Sequence, residues 1–286
     1  MKIHHLNCGT CCPHGGRLFD GTTDAPQARI VCHCLLIETD SGLVLVDTGF
    51  GTRDIANQHH RLSDFFLKLN RPQLHPDETA LAQVKALGFS ADDVRHILIT
   101  HLDFDHAGGL EDFPNATVHL TAREKEVAEE RKGGVFVGRR RYRPGQWNEV
   151  QNWKLYPFGG GESWFGFDSV RDLFGLPPEI LLVPLAGHTW GHSGIAIDTG
   201  GGWLLHAGDA YFYRGEVGSE RYSCPPGMRG YQRMMEVDRT ARLRNQERLR
   251  RLSIDHADEV RLFCAHDAIE FEILAEQRGG GGAAAT

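Results

Sequence analysis

Short apolar runs that alternate with helical patterns organise the first part of the chain. Residues 32–38 and 43–46 are apolar runs joined by the turn-forming residues 40–42, which predicts two paired strands. Residues 76–87 start with Pro-Asp-Glu and place apolar side chains at helical spacing. They predict a helix that leads into a buried strand at residues 96–100.

The same alternation continues and then lapses in the middle of the chain. Residues 115–120 predict another strand, and residues 121–132 predict a charged helix that two glycines end. Residues 133–170 are rich in glycine, arginine and aromatic residues and have no single clear period. We predict an insertion or a long loop system there, of the kind that often covers a site.

Regular patterning returns in the last third of the chain. Residues 180–184, 194–198 and 203–205 predict strands, residues 232–252 a long helix and residues 260–264 a final strand. Each half of the chain runs through strands and helices to a strand end that bears polar residues. The expected fold is α/β (α+β), with two sheet layers between outer helices.

Composition fits one globular unit. The 286 residues are 41% hydrophobic and 24% charged, and we predict a single domain over residues 1–278 with a disordered tail over residues 279–286. No apolar run approaches the about 20 residues that cross a bilayer, and no secretory signal is apparent. Seven cysteines, an odd number crowded near the amino terminus, are expected to be reduced thiols. We therefore expect a cytoplasmic protein without a membrane partner.

Charge narrows the choice of partner. The net charge of -7 disfavours nucleic acid, because phosphate binding needs a basic face. One cationic cluster, Arg139 to Arg141 with Arg143, is either a solvated loop or a wall that attracts an anionic substrate. The aromatic residues within 133–170 fit a dimer contact or a substrate wall. We expect a small-molecule substrate, and a homodimer stays an open alternative.

Metal-binding side chains gather just past the strand predicted at residues 96–100. His101, Asp103, Asp105 and His106 follow it, and two glycines after them let the backbone turn sharply. Without a cation, the two carboxylates of this dense group would repel each other. The segment therefore predicts a metal site.

Three later segments carry residues of the same kind. They contribute His188 in a Gly-His-Thr-Trp-Gly-His loop, Asp209 after the strand at residues 203–205, and His266 in Phe-Cys-Ala-His-Asp. Mixed imidazole and carboxylate ligands suit zinc, iron or manganese, and ligands from several strand ends assemble an open catalytic site.

Five motifs in this order resemble those of the metallo-β-lactamase superfamily. They are Val46-Asp-Thr-Gly49, Thr100-His-Leu-Asp-Phe-Asp-His106, Gly187-His188, Gly208-Asp-Ala210 and Ala265-His266. The second motif and the ending Phe-Cys-Ala-His-Asp most resemble the N-acyl homoserine lactonases. The resemblance covers residues 30–132 and 180–273. It implies an αββα sandwich of the metallo-β-lactamase fold with two metal ions at one edge of the sheets.

The resemblance also implies a first metal position, held by His101, Asp103 and His188. The family usually has histidine where this chain has Asp103. A further carboxylate makes the site more anionic and less Lewis acidic, which makes iron or manganese more plausible beside zinc. Two divalent ions are expected, with zinc first and iron or manganese as alternatives. Loss of the first ion is the other alternative.

A second metal position is implied at Asp105, His106 and His266. Asp209 would bridge both ions, and Asp47 would steady the loops from behind the ligands. The family resemblance implies a hydrolase in which a hydroxide bridging the metals attacks a carbonyl, with Asp105 counted among the catalytic residues.

A proton donor for the leaving group has weaker support in the sequence. Lactonases have a tyrosine three positions after the bridging aspartate, where this chain has Phe212. Tyr211 and Tyr213 beside it are the candidates, with simple packing as the alternative. His192 is a candidate for orienting a ligand loop, and His206 is interpreted as a core residue.

The expected function is hydrolysis of an ester or lactone, with an acyl homoserine lactone-like substrate first. Fold resemblance alone does not name the substrate. A phosphodiesterase or phosphotriesterase of the same fold is one alternative, supported by the arginines within 139–143. A non-catalytic metal-binding or signalling protein is the alternative from another class, suggested by Asp103 and Phe212.

Overall fold

The computed structural model describes residues 1–131, 137–169 and 172–276. Within these ranges no helix is both long and apolar enough to cross a membrane. The tail predicted to be disordered, residues 279–286, lies outside the described residues.

The described chain alternates strands with mostly short helices. The strands are β1 (Lys2–Cys11), β2 (Ile30–Thr39), β3 (Gly42–Val46), β4 (Val94–Leu98), β5 (Thr117–Thr121), β6 (Trp153–Tyr156), β7 (Glu162–Trp164), β8 (Phe167–Ser169), β9 (Ile180–Pro184), β10 (Ser193–Asp198), β11 (Trp203–His206) and β12 (Val260–Phe263). The helices are α1 (Arg17–Asp20), α2 (Thr52–Ala56), α3 (Gln58–Arg61), α4 (Asp64–Asn70), α5 (Ala80–Ala86), α6 (Phe104–Ala107), α7 (Ala122–Glu129), α8 (Gly138–Arg141), α9 (Pro226–Met235), α10 (Arg239–Asp255) and α11 (Ala268–Glu276).

Two sheets contain most of the strands. The larger sheet has the order β1-β2-β3-β4-β5-β6, antiparallel up to β3 and parallel from β3 to β6. The smaller sheet has the order β12-β11-β10-β9, with β11 and β12 parallel and the other pairs antiparallel. Strands β7 and β8 form a separate pair.

The two sheets pack face to face through apolar side chains. Leu35, Val46 and Leu98 of the larger sheet share a buried cluster with Ile195 and Phe263 of the smaller one. Strand residues alternate between faces, so each sheet offers a second apolar face to the helices outside it.

Helices cover both outer faces. On the larger sheet, Val84 of α5 and Val127 of α7 pack against Ile97 and its neighbours. On the smaller sheet, Leu249 of α10 packs against Leu205. The predicted fold class, an αββα sandwich, is confirmed.

Two elements differ from the sequence-based expectation because they depend on tertiary partners. Strand β1, whose polar residues give no apolar run, forms the edge of the larger sheet by pairing with β2. The helix predicted over residues 232–252 is divided into α9 and α10. There the backbone N–H groups of Val237 and Asp238 both donate to Gly187 O, and the Asp238 side chain caps α10 by accepting from Ala241 N.

The region predicted as an insertion is more ordered than its composition indicates. Within residues 137–169 the chain forms α8, the pair β7 and β8, and β6, which extends the larger sheet by pairing with β5. Residues 132–136 lie outside the described part of the chain. Helix α8 ends at Arg141, which is one of the largest fully buried side chains.

Candidate metal centre

The seven predicted ligands meet at one edge of the sandwich. The turn after β4 carries four of them, and the other three follow β9, β11 and β12. Ligand atoms of His101, Asp103 and His188 lie within 4.8 Å of one another, as do those of His101, His106 and Asp209. We call Asp103 and His188 the Asp103 side of the centre; His101 belongs to both groups and lies between the two sides. The Asp105 side comprises Asp105, His106, Asp209 and His266.

The Asp105 side has metal-ligating atoms that no other group satisfies. Asp209 Oδ1 lies 3.3 Å from His106 Nε2 and 3.2 Å from His266 Nε2. Asp105 Oδ2 lies 3.8 Å from His266 Nε2. Among the described residues, His101 Nε2, His106 Nε2 and Asp209 Oδ1 are buried without a hydrogen-bond partner. Buried polar atoms normally have partners, so these converging atoms fit a bound metal ion.

Backbone and carboxylate groups behind the ligands fix their orientation. His106 donates from Nδ1 to Asp47 Oδ2 at 2.8 Å, and His266 donates from Nδ1 to Val31 O at 2.8 Å. Each contact leaves Nε2 pointing into the centre. Thr100 donates from its backbone N and its hydroxyl to Asp47, both at 2.8 Å. Asp47 thus has the supporting position expected of it.

Charges on the Asp105 side are coupled. Burial lowers the pKa of His106, but Asp209 and Asp47 outweigh burial and hold that pKa well above its usual value. Asp209 likewise outweighs burial at His266 and raises its pKa. At Asp209, burial is outweighed by His266 and His106, so its pKa lies well below the usual value. The carboxylates thus favour a positive charge at this position, which a bound metal ion would supply.

The Asp103 side already contains a cation. The Arg141 guanidinium donates from Nε to Asp103 Oδ1 and from Nη2 to Asp103 Oδ2, both at 2.8 Å. Nη2 also lies 2.9 Å from His188 Nε2. Burial raises the pKa of Asp103, but Arg141 and His101 outweigh it and hold the pKa well below its usual value. The arginine cluster is therefore not a wall facing substrate at this residue, because Arg141 is completely buried.

Glu124 accepts hydrogen bonds from the three segments that surround the ion pair of Arg141 and Asp103. Its buried carboxylate accepts from Leu102 N at 3.1 Å, from the Tyr142 hydroxyl at 3.2 Å and from Gly191 N at 3.1 Å. These partners lie beside Asp103, Arg141 and His188 in the chain, respectively. The sequence analysis assigned Arg141 to a cluster that is either solvated or faces substrate, which is wrong for this buried residue, and it did not name Glu124. The one available signal was Asp103 itself, since an added buried carboxylate calls for a cation.

The two candidate tyrosines have different surroundings. The Tyr211 hydroxyl is buried and donates to Glu270 at 3.0 Å, so it is engaged in the core. Tyr213 is partly exposed and lines a narrow pocket together with His266 and Phe212, with a volume of only about 10 Å³, enough for about one water molecule. Phe212, at the position of the lactonase tyrosine, packs its ring 4.9 Å from His266.

Tyr231 is a further tyrosine that the sequence analysis did not single out. It lies on α9 with its ring 5.8 Å from Phe212, and its hydroxyl accepts from Asn70 Nδ2 at 3.0 Å. Burial raises the pKa of Tyr231, and the charge of Asp105 raises it further. Its hydroxyl therefore lies within electrostatic reach of the Asp105 side.

His192 and His206 support the loops of the centre. His192 accepts from Asp209 N at 2.9 Å and donates to Leu185 O at 3.0 Å, so it fixes the loop that carries Asp209. Gly208 has a φ of 54°, and a Cβ there would lie 2.5 Å from His192 Nε2, which explains the glycine. His206 is buried and bonded to His33 O at 2.6 Å, as expected of a core residue.

The cysteines are free thiols, as the sequence analysis expected. Cys32 nevertheless lies beside the centre, with its Sγ in a group with ligand atoms of Asp105 and His266 that are within 4.8 Å of one another. Burial raises the pKa of Cys32 well above its usual value, and Asp105 adds to this. The sequence analysis did not connect this thiol with the metal ligands.

Comparison with known proteins agrees with this geometry. Residues 29–256 match the Metallo-beta-lactamase superfamily. A protein of Mycobacterium bovis named a probable metallo-hydrolase is 40% identical over 281 residues, which are 96% of this chain and 83% of that protein. An N-acyl homoserine lactonase of Bacillus thuringiensis is 23% identical over 198 residues, 69% of this chain and 70% of the lactonase.

A solved structure shares the whole fold. It is an N-acyl homoserine lactone hydrolase with its product N-hexanoyl-L-homoserine bound at the catalytic metal centre. The TM-score is 0.68 at 21% identity, and the match covers 95% of each chain. At this identity the likeness establishes the fold alone. Together with the family match and the 40% identical relative, it establishes that this chain belongs to the metallo-beta-lactamase superfamily and is a metallo-hydrolase.

Proposed function

We propose that the chain hydrolyses an ester or lactone, with an acyl homoserine lactone-like molecule as its substrate class, at a metal ion bound on the Asp105 side. One observation carries the proposal. The unsatisfied buried atoms of His101, His106 and Asp209 converge beside His266, and His266 also lines a narrow pocket. The substrate class rests on the similarity to the Bacillus thuringiensis lactonase.

A divalent ion on the Asp105 side would supply two kinds of chemistry, polarising a carbonyl oxygen and making a water molecule nucleophilic near neutral pH. The residues of the chain prepare the site for that ion. Asp47 and Val31 O hold the imidazoles of His106 and His266 with Nε2 inward. Phe212 packs against His266 and limits access of bulk water from that direction.

The narrow pocket beside His266 has apolar side chains in its wall, which an acyl chain would contact. Its lining includes the apolar residues Ile30, Phe212, Met228 and Ile269. Its arginines are already paired within the protein, since Arg29 bonds Glu272 and Arg214 bonds Asp267. An uncharged acyl group therefore fits this wall better than a phosphoester does.

Tyr213 is the better placed of the two candidate proton donors. It lines the same pocket as His266, whereas the Tyr211 hydroxyl is bonded to Glu270. A hydroxyl near the leaving oxygen supplies a proton as the carbonyl bond breaks. Tyr213 would thus be the proton donor in place of the lactonase tyrosine, whose counterpart in this chain is Phe212.

The rival phosphoesterase function loses support. Its basis was the arginine cluster, but Arg141 is buried against Asp103, and Arg143 donates to the backbone carbonyls of Arg61 and His60. The non-catalytic alternative has to explain why unsatisfied ligand atoms are retained next to a pocket.

The test is hydrolysis of an acyl homoserine lactone by the protein as purified, after chelation, and after reloading with Zn²⁺ or Mn²⁺. A p-nitrophenyl phosphodiester under the same conditions is the matched control. We expect lactone opening that chelation removes and metal restores, with slower phosphodiester cleavage. Metal-dependent cleavage of the phosphodiester without lactone opening would contradict the proposed substrate class.

A further inference from the structure

The Arg141 guanidinium has a complete set of partners on the Asp103 side. Nε and Nη2 donate to the two oxygens of Asp103, and Nη2 also contacts His188 Nε2. Nη1 donates to His188 O at 3.1 Å and to Met235 O at 3.0 Å. These contacts account for all five N–H groups that a guanidinium offers. Arg141 is therefore a fixed structural component of the Asp103 side.

These contacts use the atoms that a first metal ion would need. Asp103 Oδ2 and His188 Nε2 lie 3.0 Å apart, and Nη2 lies within 2.9 Å of both. In one tautomer His188 Nε2 accepts from Arg141, and in the other it donates to Asp103. In neither tautomer is its lone pair directed at an empty metal position.

Charge leads to the same conclusion. Asp103, Asp105 and Asp209 carry three negative charges, which one divalent ion and the Arg141 guanidinium balance. A second divalent ion would place two more positive charges a few ångströms from a fully buried guanidinium. Like charges at that distance in a site closed to water repel strongly.

We infer that the Arg141 guanidinium takes the place of the first metal ion, so that the centre holds a single divalent ion on the Asp105 side. The inference rests on the proposed metal-dependent function and specifies its metal requirement. Ligand-type residues of the family motif are thus present on both sides, but Asp103 and His188 bind an arginine instead of a metal.

Neighbouring contacts hold the arginine there. Asp103 and Tyr142 form an isolated antiparallel β-bridge, which fixes the backbone next to Arg141 against the turn that carries Asp103. The Tyr142 hydroxyl and Thr189 both donate to Glu124, at 3.2 Å and 2.6 Å. Tyr142, next to Arg141 in the chain, is therefore held against the turn that carries Asp103 and, through Glu124, against the loop that carries His188.

The experiment counts metal ions per chain after dialysis against excess Mn²⁺ and records the electron paramagnetic resonance spectrum. It compares the wild type with Arg141→Met, with the double variant Asp103→His/Arg141→Met, and with Arg140→Met. The double variant removes both members of the buried pair and restores a histidine at position 103, which guards against misfolding of the single variant. Arg140 is the exposed neighbour and serves as the matched control.

We expect about one ion per chain with the spectrum of isolated Mn²⁺ in the wild type and in Arg140→Met. The double variant should bind about two ions and show the spectrum of a coupled pair. Two ions in the wild type, or one ion in every variant, would overturn the inference while leaving the proposed function intact. A wild type that binds no metal would instead remove the metal-dependent function itself.

Discussion

The Asp103 side and the Asp105 side of the centre both lie at strand ends and both contact the Asp209 carboxylate, yet they differ in the cation they suit. Asp209 Oδ2 lies 3.2 Å from His188 Nε2, and Asp209 Oδ1 lies 3.3 Å from His106 Nε2. On the first side a guanidinium satisfies the carboxylate of Asp103. On the second side the ligand atoms remain unsatisfied next to a pocket.

Both sides are buried, and of the ligands only His266, on the Asp105 side, borders the narrow pocket. The Asp103 side has an internal cation, Arg141, whereas on the Asp105 side the unsatisfied atoms of His106 and Asp209 are free to ligate an exchangeable one. The number of ligand-type residues in a sequence therefore does not give the number of metal ions bound, because a buried arginine from another segment can occupy one of the metal positions.

The largest expected effect tests the internal cation. Arg141→Met in the presence of chelator leaves Asp103 buried without its partner, and we expect a loss of about 3–5 kcal/mol in the free energy of unfolding. Urea denaturation measures it. Arg140→Met, a change at the exposed neighbour, should stay within about 0.5 kcal/mol of the wild type. A loss as small for Arg141→Met as for the control would mean that Asp103 does not depend on this guanidinium.

The next effect distinguishes the sides by metal retention. Asp209→Ala should lose the bound ion and lower kcat/KM by more than about 100-fold, since a lost ligand exceeds the about 10–100-fold effect of residues that only orient ligands. Asp103→Asn should keep about one ion per chain. Elemental analysis and lactone hydrolysis provide the two readouts, with the exposed His59→Ala as control. Loss of the ion in Asp103→Asn would show that Asp103 ligates the metal, which contradicts its assignment to the Asp105 side.

A third effect concerns the proton donor on the pocket side. Tyr213→Phe should lower kcat by about 100-fold, the lower end of what a general acid contributes. Tyr211→Phe should leave kcat nearly unchanged, because the Tyr211 hydroxyl is bonded to Glu270. Both kcat and KM are measured for the two variants, and only Tyr213→Phe should lower kcat while leaving KM nearly unchanged. The reverse ranking of the two variants would assign the donor to Tyr211.

The smallest effect tests the support behind the Asp105 side. Asp47→Asn keeps the shape of the side chain but weakens its hold on His106 Nδ1, and metal affinity should fall by about 10-fold. Competition with a chelating dye measures the affinity. The exposed Asp64→Asn is the control and should bind metal as the wild type does. Equal affinity in Asp47→Asn and the wild type would limit Asp47 to a purely structural role.

Strand and helix patterns, which are local signals, predicted two sheet layers between outer helices, and the resemblance to the metallo-β-lactamase superfamily implied the αββα sandwich and the set of ligands at its edge. Sequence analysis did not predict β1, because this strand has no apolar run and forms by pairing with β2. It also could not assign Arg141, since an arginine in a cationic run looks the same whether it faces solvent or is buried. Only the packing of α8 against the Asp103 and His188 loops shows which of these arginines is an internal cation.

Anomalous diffraction from crystals of the Mn²⁺- or Zn²⁺-loaded protein, recorded at the absorption edge of the metal, tests the central claim most directly. Our account predicts one anomalous peak per chain, ligated by residues of the Asp105 side, with the Arg141 guanidinium still against Asp103 and His188. A second peak between His101, Asp103 and His188, with Arg141 displaced, would contradict it.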